Sequence, residues 1–189
     1  MNIQKSVILV ALAFLLLAVS CTPSPSSPDY RILKVTRGIA RFSLEYLTSW
    51  RVGTEIRSDY TRVAMSSSLL NAFGDLLVTP PNQTDRDAKT TMDNYVSLKR
   101  TQPDFQIVEE STLSVAGVSA FKIVYSYSAL QLPKERGGTG GPPKPTTGVY
   151  MAFERDGLIW TLGAVSDPDK ALEVQADLQY MLQTFKILD

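Results

Sequence analysis

The side chains that most often do chemistry in proteins are scarce in this chain. Its 189 residues include no histidine and one cysteine, Cys21. Without histidine the chain lacks the commonest general base and the commonest ligand for transition metals. Zinc and copper sites built from histidine and cysteine are therefore excluded. We expect no metal and no cofactor.

The remaining hydroxyls and carboxylates do not form a recognisable catalytic set. The run Ser66-Ser67-Ser68 has no activating base near it in the sequence, and a serine nucleophile needs one. Glu109 and Glu110 are neighbours in a predicted strand, so they face opposite sides of a sheet. Asp167 and Asp169 suit either a cation or the start of a helix, and the sequence favours helix capping. We predict that the protein is not an enzyme.

Cys21 follows a leader that is apolar without interruption from Val7 to Val19 and is preceded by one cation, Lys5. A cationic start, an apolar core and small residues at the end are typical of a secretory signal peptide. The apolar run is shorter than the eighteen or more residues of a spanning helix. Residues 1–20 are therefore predicted to be a signal peptide.

The tail Leu17-Ala18-Val19-Ser20-Cys21 resembles the lipobox of bacterial lipoproteins. That resemblance implies cleavage between Ser20 and Cys21 and a lipid thioether on Cys21, with palmitate as an expected acyl group. The alternative is a plain secretion signal followed by an incidental cysteine. Cys21 has no internal disulfide partner, and an exposed thiol on an exported chain would be reactive. Both points favour lipidation.

Length and charge suggest one globular domain behind a tether. The segment 22–28 is rich in proline and serine, as in linkers that hold a domain away from a surface. We expect a lipidated cysteine and tether over 21–38 and one domain over 39–189. The formal net charge is zero, so no basic excess points to nucleic acid. The predicted location is the extracytoplasmic face of the cell membrane, held there by membrane lipid.

A local basic cluster follows the tether. It consists of four cations within twelve residues, Arg31, Lys34, Arg37 and Arg41. Such a cluster is able to bind anionic lipid headgroups. A solvated first strand or turn explains the same residues.

Periodicity predicts a sheet-rich domain with two helices. Alternating runs indicate strands near 42–46, 61–65, 105–110, 121–127, 149–153 and 158–162. Asp156-Gly157 predicts a hairpin turn. Helical spacing covers 85–100 and the segment after Pro168, whose inner face is predicted to be Ala171, Val174, Leu178, Met181, Leu182 and Phe185. The fold class predicted is α+β, a mainly antiparallel sheet with helices packed on its faces.

The stretch 132–147 is predicted to be a long flexible loop rich in glycine and proline. It lacks the Gly-Lys-Ser/Thr and the following helix that a phosphate-binding loop requires. Long loops in compact domains are often functional. We therefore place a possible partner contact at Arg136, Gly137, Gly138 and Lys144.

Four motifs in order resemble PsbP-like domains. The opening at 42–50 reads FSLEYLTSW, a glycine hairpin runs through 115–125, and the ending comprises 157–164 and 184–187. The resemblance spans 39–188. It implies an α/β/α sandwich. Plant members of the family are extrinsic photosystem II subunits, and bacterial relatives are often lipoproteins. The metal-binding histidines of some members have no counterpart here.

Two functions are compatible with these features. The first is a non-catalytic binding or accessory module for a membrane-associated protein complex. The second is a carrier of a small hydrophobic ligand, in a pocket between sheet and helix lined by Tyr95, Tyr125, Tyr127 and Trp160. The same aromatics are also explained as core residues. A photosynthetic role rests on family analogy alone.

Overall fold

The computed structural model describes residues 29–131 and 140–188. The strands are β1 (Tyr30–Val35), β2 (Phe42–Leu47), β3 (Arg51–Ile56), β4 (Thr61–Ser67), β5 (Ala72–Thr79), β6 (Gln106–Val115), β7 (Val118–Ala129), β8 (Lys144–Arg155), β9 (Leu158–Ser166) and β10 (Lys186–Ile187). The helices are α1 (Ala88–Lys99) and α2 (Ala171–Gln183), and a 3-10 turn at Pro168–Lys170 precedes α2. No described helix is long and apolar enough to cross a membrane.

The described strands form two antiparallel sheets. The large sheet has the order β3-β4-β5-β9-β8-β7-β6, and the small sheet has the order β1-β2-β10. Strands account for 51% of the described residues and helices for 18%. The predicted fold class, α+β with helices packed on the faces of one sheet, is therefore wrong, because the fold is dominated by two sheets. Alternation within a strand shows that one side is buried but does not tell which sheet the strand joins.

The small sheet and α2 pack on one face of the large sheet, which we call the inner face. Trp160 of β9 and Phe153 of β8 are both fully buried there, with their rings stacked at 5.9 Å between centroids. Phe42 from β2 meets the Trp160 ring edge-on at 5.4 Å. Full burial of each such ring stabilises the fold by about 1.5–3 kcal/mol. This cluster is the main core.

The opposite, outer face of the large sheet is only partly covered. Helix α1 contacts β7 and β8, where Ala88 and Met92 are buried against Ile123 and Ala152. Asp87 caps α1, its carboxylate accepting a hydrogen bond from the Thr90 backbone N–H at 2.7 Å. No described helix contacts β4 or β5 on this side strongly enough to cover it, whereas the outward residues Thr161 and Gly163 of β9 are buried.

The hairpin turns follow the sequence prediction. Asp156 and Gly157, with φ values of 55° and 70°, join β8 to β9. Positive φ at both central positions is typical of the turn that matches strand twist. Ala116 and Gly117 make the corresponding turn between β6 and β7, with φ values of 47° and 82°.

Helix α2 confirms the predicted inner face, since its five buried residues are among the six predicted: Ala171, Val174, Leu178, Met181 and Leu182. The sixth, Phe185, is also buried but follows the end of the helix. The sequence predicts that Ser166 or Asp167 caps this helix. Asp167 lies at the N-cap position of the 3-10 turn, but its side chain makes no cap hydrogen bond, and the Ser166 hydroxyl donates to the Asp167 carbonyl instead. The Asp167 carboxylate instead accepts a hydrogen bond from the Asn71 amide at 2.8 Å and pairs with Lys144 at 2.6 Å.

Candidate functional site

Four tyrosines gather under α1 on the outer face, and we call them the tyrosine cluster: Tyr95, Tyr125, Tyr127 and Tyr150. Alternation along β7 points Tyr125 and Tyr127 to this face, and β8 contributes Tyr150. Helix α1 supplies Tyr95 from above. The sequence prediction brought three of these residues together but omitted Tyr150, whose outward position in the alternating run 149–153 was the available signal.

The tyrosine rings are tightly fixed. Tyr95 stacks on Tyr150 with centroids 3.6 Å apart and planes 3° from parallel. The hydroxyls of Tyr95 and Tyr125 are hydrogen-bonded to each other. Gly163 leaves room for Tyr150, because a Cβ there would lie 2.9 Å from the ring atom Cδ2. Gly148 does the same for Tyr125, whose ring a Cβ would strike.

Lys99, at the end of α1, closes the cluster. Its Nζ lies 5.1 Å from the Tyr127 ring centroid, 5.4 Å from that of Tyr95 and 5.9 Å from that of Tyr125. Such geometry is that of cation–π attraction. Burial lowers the pKa of Lys99, since the charged form loses hydration there. The cluster therefore holds a half-buried cation against three aromatic rings.

The tyrosines themselves are held neutral at physiological pH. Burial raises the pKa of Tyr150 to about 12. Burial, followed by the neighbouring Tyr125, raises the pKa of Tyr95, and burial likewise raises that of Tyr125. A neutral phenol donates hydrogen bonds and does not serve as a base. The cluster thus offers aromatic surface and hydroxyl groups.

A groove lies beside the cluster, between α1 and the strands β6 and β7. Its volume is about 430 Å³. The floor is apolar, made by Met92, Val96 and Ile107 with the outward residues Phe121 and Ile123. Charged side chains form its rim: Lys89, Asp93, Arg100, Glu110 and Lys122. A groove between sheet and helix was expected, but its lining differs from the one predicted.

On the other side of α1 is a surface that we call the open face, formed by Arg62 of β4, Phe73 and Asp75 of β5, and Val165 of β9. Phe73 is 64% exposed and pairs with Val165 in the sheet register. A groove of about 250 Å³ runs from it to Tyr95 and Tyr150. Arg62 Nε and the Asp75 carboxylate form an exposed ion pair of 3.0 Å beside it.

The open face was missed at the sequence level. The short apolar run over 75–79, which Pro80 closes, predicts a strand there, and Phe73 lies outside that run. In the structure β5 begins at Ala72, and alternation sends Phe73 and Asp75 outward while Leu76 and Val78 are fully buried. Residues 72–78 read AFGDLLV, which does not alternate between apolar and polar side chains, so the pattern carries no signal that Phe73 faces outward.

Most of the predicted contact and lipidation residues lie outside the described residues. These are Ser20, Cys21, Arg136, Gly137 and Gly138. Lys144 is described, and it lies in β8 rather than in a loop, paired with Ala129 of β7. The expectation that the loop reaches residue 147 is therefore wrong, because Lys144 to Thr147 extend the hairpin ladder. The ion pair with Asp167 ties Lys144 to the end of β9.

The other predicted residues occupy structural positions. Trp160 was expected in the pocket but lies in the main core on the inner face, because β9 presents it on the side opposite to Thr161 and Gly163. Glu109 pairs with Lys122 at 3.0 Å, and these contacts with Lys122 and Ser111 lower its pKa. No cluster of three or more metal-binding side chains occurs in 29–131 and 140–188.

Comparison with known proteins gives the class of fold. No family model matches the chain, and no curated protein matches its sequence. Among solved structures, cyanobacterial PsbP (CyanoP) from Synechocystis sp. PCC 6803 matches with a TM-score of 0.55 and 9% identity, covering 90% of this chain and 99% of its own. The PsbP-like fold implied by the sequence motifs is thereby confirmed.

One further neighbour has the same fold, and another resembles it less. The Ran-binding protein Mog1p of Saccharomyces cerevisiae matches with a TM-score of 0.56 and 10% identity, covering 86% of this chain and 97% of its own. LpqN, involved in cell envelope biogenesis of Mycobacterium tuberculosis, matches with a TM-score of 0.48, 16% identity and coverage of 85% and 92%, a likeness too weak to support an argument. Identities this low establish the fold and nothing about the activity.

Proposed function

We propose that this protein is a bacterial lipoprotein on the extracytoplasmic face of the cell membrane, and that it is a non-catalytic binding module for a membrane-associated protein complex. The anchor is the lipid on Cys21, after cleavage at Ser20. The binding surface is the open face around Phe73. The exposure of Phe73 on a part of the sheet that no described helix covers is the observation that carries the proposal.

The open face has the composition of a protein-binding site. Aromatic and arginine side chains are enriched at energetically important interface positions. Phe73 supplies the apolar centre, and Arg62 with Asp75 supplies a polar rim. The ion pair is exposed, so it adds little to folding stability and leaves both charges able to meet a partner. The open face thus combines an apolar anchor with polar groups.

The fold comparison supports a binding role. A neighbour that matches with a TM-score of 0.56 is described as a Ran-binding protein. The same fold therefore serves protein recognition in at least one case. The partner itself does not carry over, because a fold hosts many functions.

Photo-crosslinking in cells tests the binding surface. A benzophenone amino acid replaces Phe73 in one strain and Ile32, which is 71% exposed on β1, in a control strain. The proposal predicts a discrete crosslinked protein from position 73 and none from position 32. Equal crosslinking from both positions, or none from position 73 in intact membranes, would contradict it.

Fractionation tests the anchor. Cys21→Ser removes the thiol that would carry the lipid, so the variant is expected either to leave the membrane fraction or to retain its leader. The crosslink from position 73 should weaken in the same variant, since the module would no longer be held near its partner. Unchanged fractionation and unchanged processing of the variant would overturn the anchor.

A second candidate function is a carrier of a small hydrophobic ligand. The apolar floor of the 430 Å³ groove beside α1 favours it, because ligand sites combine such a floor with a few polar groups. A thermal-shift screen against lipids, quinones and pigments tests it. A ligand of this groove should lose its effect in Phe121→Ser and keep it in Phe73→Ser, whereas equal loss in both variants would argue against the groove.

A further inference from the structure

The described chain begins at one particular end of the large sheet. The Thr48 backbone N–H donates to the Asp29 carbonyl at 3.0 Å, which fixes Asp29 beside the turn between β2 and β3. Arg51 then opens β3 opposite Ser66, at the end of β4. Asp29, the first described residue, therefore lies at the end of the large sheet where β4 turns into β5.

Exposed leucines from three segments lie at that end. Leu69 in the turn between β4 and β5 is 73% exposed, Leu130 after β7 is 66% exposed and Leu172 at the start of α2 is 82% exposed. The Asp167 carboxylate holds these segments together, because it binds Asn71 near Leu69 and Lys144 opposite the end of β7. We call Leu69, Leu130 and Leu172 the apolar end.

The far end of the sheet has a different composition. Gly38 packs near Ile56 and Thr61, which lie at the far end of β3 and β4. The Leu188 N–H donates to the Arg41 carbonyl at 2.9 Å. The segment that follows β1 and the segment at Leu188 therefore both lie at the far end. Arg37 and Arg41 consequently lie away from Asp29. The basic cluster considered in the sequence is divided between the two ends of β1 and does not form a single patch for anionic headgroups at the end where Asp29 lies.

The length of chain before Asp29 limits how the domain can lie. Seven residues, 22–28, separate Cys21 from Asp29. Fully extended, they span about 25 Å. The twelve-residue strand β7 is about 40 Å long. An anchored domain therefore cannot stand upright with its far end on the membrane, because Asp29 would be too distant from Cys21.

We infer that the apolar end rests on the lipid bilayer, with Leu69, Leu130 and Leu172 entering the boundary between headgroups and acyl chains. This inference rests on the proposed lipid anchor at Cys21. Burial of a few apolar side chains at this depth is how interfacial segments gain membrane affinity. The apolar end is then a second membrane contact, in addition to the lipid on Cys21. This contact orients the strands of the large sheet along the membrane normal. The open face then points sideways, toward proteins in the same membrane.

Depth measurements test the inference on the full-length lipoprotein purified from membranes. Acylation blocks Cys21, so a cysteine introduced as Leu69→Cys, Leu130→Cys or Leu172→Cys is the single free thiol for an NBD fluorophore. Ile56→Cys, an exposed apolar position at the far end, is the matched control. The proteins are reconstituted in vesicles of phosphatidylethanolamine and phosphatidylglycerol, with and without lipids brominated on their acyl chains.

Brominated lipid should quench NBD emission at positions 69, 130 and 172 and leave position 56 unquenched. Equal quenching at all four positions, or none at the three leucine positions, would overturn the inference. Mass spectrometry of the same samples reads the lipid on Cys21 separately. A lipidated protein without quenching contradicts the inference alone, whereas a protein without lipid contradicts the proposed anchor and the inference with it.

Discussion

The two faces of the large sheet use aromatic side chains in opposite ways. On the inner face Phe42, Phe153 and Trp160 are fully buried, and their contacts are between ring surfaces. On the outer face Tyr95 and Tyr150 are stacked, but their edges line a groove, and Phe73 stands largely in solvent. One face is closed by a second sheet and the other is half covered by one helix.

This difference separates stability from recognition. A closed apolar layer gains its full transfer free energy from burial, so its residues determine whether the domain folds. A half-covered layer with hydroxyls and an exposed ring gains less, and its free surface is available to a partner. We therefore expect changes on the inner face to act on unfolding and changes on the outer face to act more on binding.

The largest contrast is between two phenylalanines of the large sheet. Phe153→Ala empties a buried site in the main core and should lower the free energy of unfolding by about 3–5 kcal/mol. Phe73→Ala removes an exposed ring and should change it by no more than about 0.5 kcal/mol. Urea denaturation of both variants measures this. Similar decreases in the free energy of unfolding of the two variants would contradict the difference between the two faces.

High pH should reveal the buried tyrosines. An unfolded tyrosine ionises near pH 10, whereas the pKa of Tyr150 is raised to about 12 in the fold. The stability linked to Tyr150 is therefore fully present below pH 10 and is lost as pH rises through 12, by up to about 2–3 kcal/mol. Denaturation of wild type and Tyr150→Phe at increasing pH should show a flatter profile in the variant. Identical profiles would contradict the burial of this hydroxyl.

Gly148 should be intolerant of a methyl group. A Cβ at this position strikes the ring of Tyr125, which α1 holds in place, so Gly148→Ala should cost about 1–3 kcal/mol. Gly53→Ala is the matched control, because no atom lies within 4 Å of its added Cβ. Thermal and urea unfolding of the two variants would tell them apart. Equal stability of both would mean that Tyr125 moves freely.

The smallest effect concerns the hydroxyl pair of the tyrosine cluster. Tyr95→Phe and Tyr125→Phe each remove one partner of the hydrogen bond between them. A double-mutant cycle should give a coupling of about 0.5–1.5 kcal/mol, the usual net value of such a bond. The Tyr127 hydroxyl takes no part in this hydrogen bond, so a second cycle that combines Tyr127→Phe with Tyr95→Phe is the control. A coupling energy of zero between Tyr95 and Tyr125 would contradict this hydrogen bond.

The sequence predicted local structure well because local structure depends on local pattern. The hairpin at Asp156-Gly157 and the buried side of α2 are determined by turn chemistry and by helical spacing within one segment. The small sheet depends on residues far apart in the chain, since β10 pairs with β2 about 140 residues away. No periodicity within either strand encodes that pairing, and so the fold class was wrong.

The residues of the candidate surfaces were likewise predicted correctly where local pattern determines their position, and wrongly or not at all where it does not. Tyr95, Tyr125 and Tyr127 were brought together correctly, because the helix and the strand each present them on one side. Trp160 was assigned to the wrong face, since a strand buried on both sides gives no alternation to orient it. The open face depends on where α1 stops covering the sheet, and only the tertiary structure shows that.

The most direct test of the proposed function is the mass of the N-terminal peptide of the protein extracted from native membranes. We predict a peptide that begins at Cys21 and carries a diacylglyceryl group on its sulfur. A peptide that begins upstream of Cys21, or one that begins there with a free thiol, would contradict the anchor on which the proposed function depends.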